Sequence, residues 1–264
     1  LNSLKIKSLF IYPLKSCGGT DVIQISVDNN GLKYDRNFAV INKNNTIITA
    51  REYPKLLKIE TLLKKSKLSI HLENETFQID HNLFSDQIIT VQLFNEIVKA
   101  ESSEHYINNQ LSEYLGEQCK LVKFSTIENS IKNKAFNDVS PIHLISEASL
   151  NDLNNKLKNP FTAHSFRPNI VISGGEAYEE ESWKTLKIGT CKFKVVSKTA
   201  RCSMITIDPK SLQKNKNQEP LRTLATYKKE DKSVNFGIYL EPINFGDFSI
   251  DDKIEITSET AIFS

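Results

Sequence analysis

The sequence predicts a mainly β chain with a few helices, an α+β protein of two β-rich units. At least one unit is expected to be a closed or partly closed barrel. Three observations carry this reading. Short runs rich in β-branched and aromatic residues recur along the chain, separated by Asn, Gly and Asp turn signals. Only three segments carry helical signals, two as a 3.6-residue apolar spacing and one as a proline start. One long polar stretch, 125–138, interrupts the chain near its middle and reads as a linker. The 264 residues suffice for one large or two small domains. These are placed at 1–125 and 126–264. A core of that size needs no disulfide or metal to fold.

In chain order, 4–12 and 22–27 are the first strands, and Asn29-Asn30-Gly31 is a turn signal. Residues 37–42 follow, linked through 42–45 to 46–49 as a hairpin. Strands continue at 56–63, 67–72, 76–80, 88–94 and 96–100. The first helix is placed at 103–115, with Ile107, Leu111, Tyr114 and Leu115 at helical spacing and Gly116 as its stop. A strand at 121–124 precedes the polar stretch. Beyond it, 142–145 is a strand. Helix 147–157 follows, with Leu150, Leu153 and Leu157 on one face and Ser146 as N-cap. Strands at 168–173, 186–188, 192–196 and 204–207 come next. A short helix at 221–227 begins after Pro220, which suits a first helical turn. Strands at 234–240 and 253–257 complete the chain.

Composition excludes several classes. Thirty-four Lys and Arg against 32 Asp and Glu give a net charge of +2, too balanced to argue for a nucleic-acid partner. Any anion site must be a local cluster. No apolar run is long enough to span a bilayer. The run 9–14 is too short for a signal-peptide core and is broken by Pro13. The chain is read as cytoplasmic, without a membrane partner, and its start at Leu1 as processed or trimmed. The four cysteines, Cys17, Cys119, Cys191 and Cys202, form no C-x-x-C pair and no cluster for an iron–sulfur centre. Three of them read as small buried hydrophobes.

The chemistry-bearing residues are dispersed. Lys15-Ser16-Cys17-Gly18-Gly19 follows a strand and is either a phosphate cradle or an ordinary turn, without Walker A spacing. Asp35-Arg36 opens a strand; Arg36 could grip phosphate or a heteroaromatic edge, or form a surface pair. Ser140 could donate to an anion, while His143 sits in an apolar run and reads as a satisfied core histidine. Arg167 is placed as an anion anchor, and Asn169 offers donors and acceptors to a heterocycle. Asp208 is a general acid, a substrate contact or a turn former before Pro209. Cys202 stands beside Arg201. A fixed positive charge next to a thiol favours thiolate, the form that attacks electrophiles or binds metals. Cys202 is therefore structural, a nucleophile or a ligand to a cofactor-borne metal.

Taken together, Tyr12-Pro-Leu-Lys-Ser-Cys17, Asp35-Arg36, Ser140-Pro141, Leu144-Ile-Ser-Glu-Ala-Ser149, Phe166-Arg-Pro-Asn169, Arg201-Cys202, Thr206-Ile-Asp-Pro209 and Glu219-Pro-Leu resemble the MOSC-domain family. The likeness covers nearly the whole chain and is nearest to its amidoxime-reducing branch. It implies a MOSC β-barrel preceded by a β-rich MOSC-associated region. It also implies a molybdenum cofactor, a molybdopterin carrying oxo-molybdenum. In that pattern Cys202 is the protein thiolate on the metal. Lys15, Ser16, Arg36, Ser140 and Arg167 hold the pterin and its phosphate, with Asn169 and Arg201 nearby. Val139, Ala200, Ile205 and Ile238 depart from the usual pattern and bear on the polarity of the pocket.

The implied activity is reduction of N-hydroxylated compounds: hydroxylamines, amidoximes or N-hydroxylated bases. Arg and Lys would stabilise developing negative charge, and Asp208 would donate a proton or anchor the substrate. Electrons are expected from a separate protein of ferredoxin, cytochrome b5 or flavoprotein type. The rival reading is a non-catalytic cofactor or sulfur carrier. A cofactor-free barrel that binds oligonucleotides is disfavoured by the near-neutral charge.

Overall fold

A computed structural model describes residues 3–64, 67–80, 84, 87–102, 106–126, 128 and 135–257. Its largest sheet grows from the first strand, Lys5–Ile11. Ile6, Leu9 and Ile11 point into the core, and a register shift between Ile6 and Ser8 resets the alternation. Phe10 and Tyr12 face the opposite side and enter a second cluster. Lys5–Ile11 lies between Thr20–Val22 and Ile170–Ser173. The order continues through Ile142–Ser146, Ser233–Pro242, Cys191–Arg201, Thr185–Ile188 and Ile254–Thr257.

Along this path only Ile142–Ser146 and Ile170–Ser173 run parallel. A parallel pair needs a crossover, and helix Glu147–Asn155 supplies it. The Ser146 hydroxyl caps that helix, accepting from the Ala148 and Ser149 amides. The sheet curls until its first strand meets the segment leading into Ile254–Thr257. Lys5 pairs with Lys253, the Ile6 amide donates to the Asp252 carbonyl, and the Ile254 amide donates to the Leu4 carbonyl. Ile142, Leu144, Ile170, Ile172, Leu186, Phe193, Ile238 and Leu240 fill the interior. Strand Gln24–Asp28 contributes Ile25 and Val27 to the same core. Segments from before residue 125 thus complete the barrel of the second half.

The remaining N-terminal residues form two smaller sheets. One orders Phe38–Asn42, Cys119–Phe124, Glu96–Ser102 and Gln87–Leu93. The other is the meander Glu60–Lys64, Lys67–Leu72, Glu75–Asp80. Phe38 and Val40 pack on one side of their strand, Ala39 and Ile41 on the other. Burial on both faces explains the unbroken apolar run. Helix Ile107–Leu115 covers one face with Ile107, Leu111 and Leu115 and ends at Gly116 in the left-handed region. The start expected at 103–105 lies outside the described residues.

Several segments differ from expectation. Residues 46–49 form no strand; Ile47 and Thr46 make isolated pairings with Ile41 and Gln92. The strand expected at 56–63 is split: Pro54–Lys58 is a 3-10 helix and the strand starts at Glu60. Proline at the start of that turn has no amide to give a ladder. The strand expected at 204–207 is also a 3-10 turn, Ser203–Thr206. The Ile205 amide returns to the Cys202 carbonyl and the Ile207 amide to that of Met204. The polar linker is not polar throughout. Ala135 and Phe136 are buried, and the Phe136 ring packs edge-on against Phe124. Residues 127 and 129–134 lie outside the described residues.

Candidate functional site

Five chain segments meet at one cavity. The loop after Lys5–Ile11 brings Lys15 and Ser16. The turn before Phe38–Asn42 brings Arg36, and the segment before Ile142–Ser146 brings Asp138 and Ser140. Arg167 and Asn169 precede Ile170–Ser173, and Arg201 and Cys202 end the long strand Cys191–Arg201. Backbone bonds tie these segments together: the Lys15 amide to the Phe38 carbonyl, Arg36 to Tyr12, Phe136 to Arg36, and Asn169 to His143. The long strand carries register shifts at Val195/Ser197 and Lys198/Ala200. Such bulges re-aim a strand end. Ser16, Arg36 and Arg167 all take left-handed backbone, with φ of 67°, 50° and 54°. Held strain of this kind clusters at functional sites.

The result is a cavity of about 120 Å³, open to solvent. All eight residues expected to hold a cofactor line it: Lys15, Ser16, Arg36, Ser140, Arg167, Asn169, Arg201 and Cys202. Arg51 adds a further cation, and Asp138 is the carboxylate among the lining side chains. The cavity therefore carries a strong local excess of positive charge in a nearly neutral protein.

One wall is a closed clasp. Asp35, 1% exposed, accepts from the Tyr12 amide at 2.8 Å, Asn169 Nδ2 at 3.0 Å and Arg36 NH1 at 2.5 Å. Asn169 Oδ1 accepts from Arg36 and from the His143 amide, and its Nδ2 also donates to the Phe10 carbonyl. The Arg36 and Arg167 guanidinium groups both stack on the Tyr12 ring at 4.3 Å. Burial works against the charge of Arg36, but Asp35 outweighs it and holds its pKa above the ordinary value. Burial lowers Arg167 and Arg201, yet guanidinium stays protonated at any working pH. Burial also lowers Lys15, with Asp138 opposing. Lys15 Nζ donates to the Phe136 carbonyl at 2.7 Å and to Asp138.

The other wall is open. Arg201 spends NH2 on the Phe166 carbonyl at 2.8 Å, while its buried Nε has no partner. Arg51 Nε, Asn137 Nδ2 and His143 Nε2 are buried and unpartnered too. The Arg167 guanidinium has no hydrogen-bond or ion-pair partner among the described residues. Unpaired buried donors are costly, and several in one cationic cavity mark a place shaped for an anion with many acceptors. Cys202 is exposed at its edge, while the other three cysteines are buried. Among the described residues, no group of three or more His, Cys, Asp or Glu could hold a metal on its own.

The structure revises several roles. Asn169 lines the cavity, but its amide is engaged in four protein contacts, so it fixes Arg36 and Asp35 and has little left for a heterocycle. The Ser140 hydroxyl donates to the Leu240 carbonyl at 2.9 Å and so faces a ligand as an acceptor. His143 is buried, but it is not a satisfied core histidine: Nδ1 is 3.5 Å from the Arg167 carbonyl and Nε2 lacks a bond of normal geometry. Burial first, then Arg201, pushes its pKa well below the ordinary value, so the ring is neutral. Asp208 is not among the residues lining the cavity. It is exposed, and its Oδ1 accepts from the Lys210 amide at 2.7 Å and Ser211 at 3.4 Å, the bonds of a turn former. Sequence reasoning missed Arg51, Asn137 and Tyr239, which line the cavity from distant elements and sit in no motif.

The comparisons agree with this fold. Residues 3–118 match the MOSC N-terminal beta barrel domain and residues 132–255 the MOSC domain. The chain belongs to the MOSC-domain family. It is 33% identical to mitochondrial amidoxime reducing component 2 of Rattus norvegicus, over 94% of this chain and 82% of that one. Mitochondrial amidoxime-reducing component 1 of Homo sapiens is 30% identical over 96% of this chain and 83% of its own. The molybdenum cofactor sulfurase of Oryza sativa subsp. japonica is 32% identical over 91% of this chain, which spans only 33% of that longer protein. No helix among the described residues is long and apolar enough to cross a membrane.

Proposed function

We propose that the cavity holds a molybdenum cofactor and that the protein reduces N-hydroxylated compounds with electrons from a separate redox protein, acting in the cytoplasm. One observation carries this reading: eight residues scattered from Lys15 to Cys202 converge on one cavity that has cations, orphaned donors and an exposed thiol at its edge. This donor set fits the group. A pterin phosphate needs cations and N–H donors, and a soft metal accepts sulfur. The cofactor would supply a two-electron centre for cleaving an N–O bond.

The chain's own residues do the rest. Lys15, Arg36 and Arg167 bind the phosphate end, with Ser16 beside them. Asp35 and Asn169 hold Arg36 in place before any ligand arrives, so binding costs little ordering. Arg201, anchored on the Phe166 carbonyl, lines the cavity and can stabilise negative charge at the reacting end. Cys202 provides the protein's own ligand to the metal. Neutral His143 adds no charge to a cavity already rich in it.

The sulfurase relatives support a second reading, a non-catalytic cofactor or sulfur carrier. Expression in a cofactor-competent host separates the two. The reductase reading expects molybdenum and pterin bound to the chain, and turnover of benzamidoxime with a chemical electron donor. Bound cofactor without turnover favours the carrier. Absence of both metal and pterin from such preparations sinks both readings.

A further inference from the structure

Beside the cavity lies a second space of about 180 Å³. The two share Ser165, Arg167 and Met204. Their walls differ in kind. The main cavity is ringed with cations, whereas the annex is walled mainly by Leu57, Met204, Ile207, Pro209 and the Gly18–Gly19 segment, with His164 on the same lining. Two 3-10 turns build it. Pro54–Lys58 carries half-buried Leu57, and Ser203–Thr206 carries Met204 and leads into Ile207. Gly19 is required by packing alone, because a Cβ there would lie 2.4 Å from the Tyr12 ring.

Polar groups are few in this space. Tyr12 is 1% exposed, and its Oη has no hydrogen-bond partner. Burial holds the phenol protonated, with its pKa pushed up to about 12. The unpaired Arg167 guanidinium forms the shared wall. Apolar walls with a few convergent polar groups are the make-up of a small-molecule pocket. Met204, an adaptable thioether, stands at the junction two residues beyond Cys202. Met204 thus belongs both to the lining that holds Cys202 and to that of the annex.

We propose that this annex binds the apolar body of the substrate, a flat group about the size of a single aromatic ring attached to the N-hydroxylated function. It thereby selects aryl-substituted N-hydroxylated compounds over small polar ones. This rests on the reductase reading given above. Leu57 is then a specificity-determining residue, since it lines the annex and is not among the residues lining the cationic cavity.

The test uses the full chain with benzamidoxime as probe and hydroxylamine as the small reference. Leu57→Trp should fill the annex. In cofactor-loaded protein, kcat/KM for benzamidoxime relative to hydroxylamine should fall roughly tenfold or more, mainly through KM. In cofactor-free protein, saturation transfer from protein to benzamidoxime should weaken to match. Leu57→Ala, a milder change at a half-buried position, should shift preference toward a two-ring amidoxime. The annex is refuted if both variants keep the wild-type substrate ratio and wild-type saturation transfer. If the loaded wild type reduces neither compound, the reductase reading fails. The saturation-transfer comparison then still decides whether the annex binds an aryl amidoxime.

Discussion

The two walls of the cavity are built on opposite principles. The wall of Tyr12, Asp35, Arg36 and Asn169 is closed: the Asp35 carboxylate and the Asn169 amide bond within the protein, and both guanidinium groups of Arg36 and Arg167 rest on one ring. The wall of Arg51, Asn137, His143 and Arg201 is open, with one buried nitrogen on each that makes no hydrogen bond of normal geometry. The closed wall is a structural element that happens to present charge. The open wall gains its missing bonds only when something binds. Mutations in the two should therefore fail in different ways, the first through stability and the second through occupancy.

The sharpest test of the contrast is Cys202→Ala. Cys202 is exposed beside the open wall and holds nothing in the fold, so the variant should keep wild-type thermal stability to within about 0.5 kcal/mol. Turnover of N-hydroxylated substrate should be abolished. Retained molybdenum-dependent reduction would remove Cys202 from the chemistry. The counterpart on the closed wall is Asp35→Ala. It leaves Arg36 buried without its counter-charge and strips partners from the Tyr12 amide and Asn169. Breaking a buried pair from one side costs about 3–5 kcal/mol. Chemical denaturation should show a loss of that size before any assay of activity. A shift below about 1 kcal/mol would mean that the clasp is not the structural wall described here.

Much of this contrast was hidden in the sequence. The strands were legible because alternating burial leaves a period of two, as in Lys67–Leu72. The 3-10 turns at Pro54–Lys58 and Ser203–Thr206 were not, because a short apolar run looks the same whether it ladders or coils. Barrel closure by Lys5 and Lys253 joins residues nearly a whole chain apart, and no local pattern carries it. The eight lining residues were found as members of a family pattern, and their residue types fit the chemistry. What each one does was less visible. Asn169 reads as a ligand contact until its four partners are known, and His143 reads as core until its unpaired Nε2 is located. The left-handed backbone at Ser16, Arg36 and Arg167 gave no signal either, since none of them is glycine or asparagine.

The open wall also predicts a pH dependence. His143 has a folded pKa well below its unfolded value near 6.5, because burial and Arg201 disfavour its charge. Between those two values the unfolded chain binds a proton that the folded chain does not. Stability should then fall as pH drops below about 6.5, by at most about 1.4 kcal/mol per pH unit from this group. His143→Gln removes the titration. Urea midpoints measured from pH 7.5 to 5 should converge or cross for the two proteins. Parallel lines would mean that His143 titrates alike in the folded and unfolded chain and that burial and Arg201 do not disfavour its charge.

The smallest effect is expected outside both walls. Asp208 belongs to the same recognisable run as Cys202, and on sequence alone it was a candidate proton donor. In the structure its carboxylate closes the turn to Lys210 and Ser211, away from the cavity lining. Asp208→Ala should cost about 0.5–1.5 kcal/mol, the worth of exposed turn hydrogen bonds. Cofactor content should match wild type, and kcat should stay within about twofold, because no interaction special to the transition state is removed. A drop in kcat of two orders of magnitude with unchanged content would instead place Asp208 at the reacting end of the substrate. The Asp208–Pro209 turn would then have to swing toward Cys202 when substrate binds, and the cavity would have a third, mobile wall.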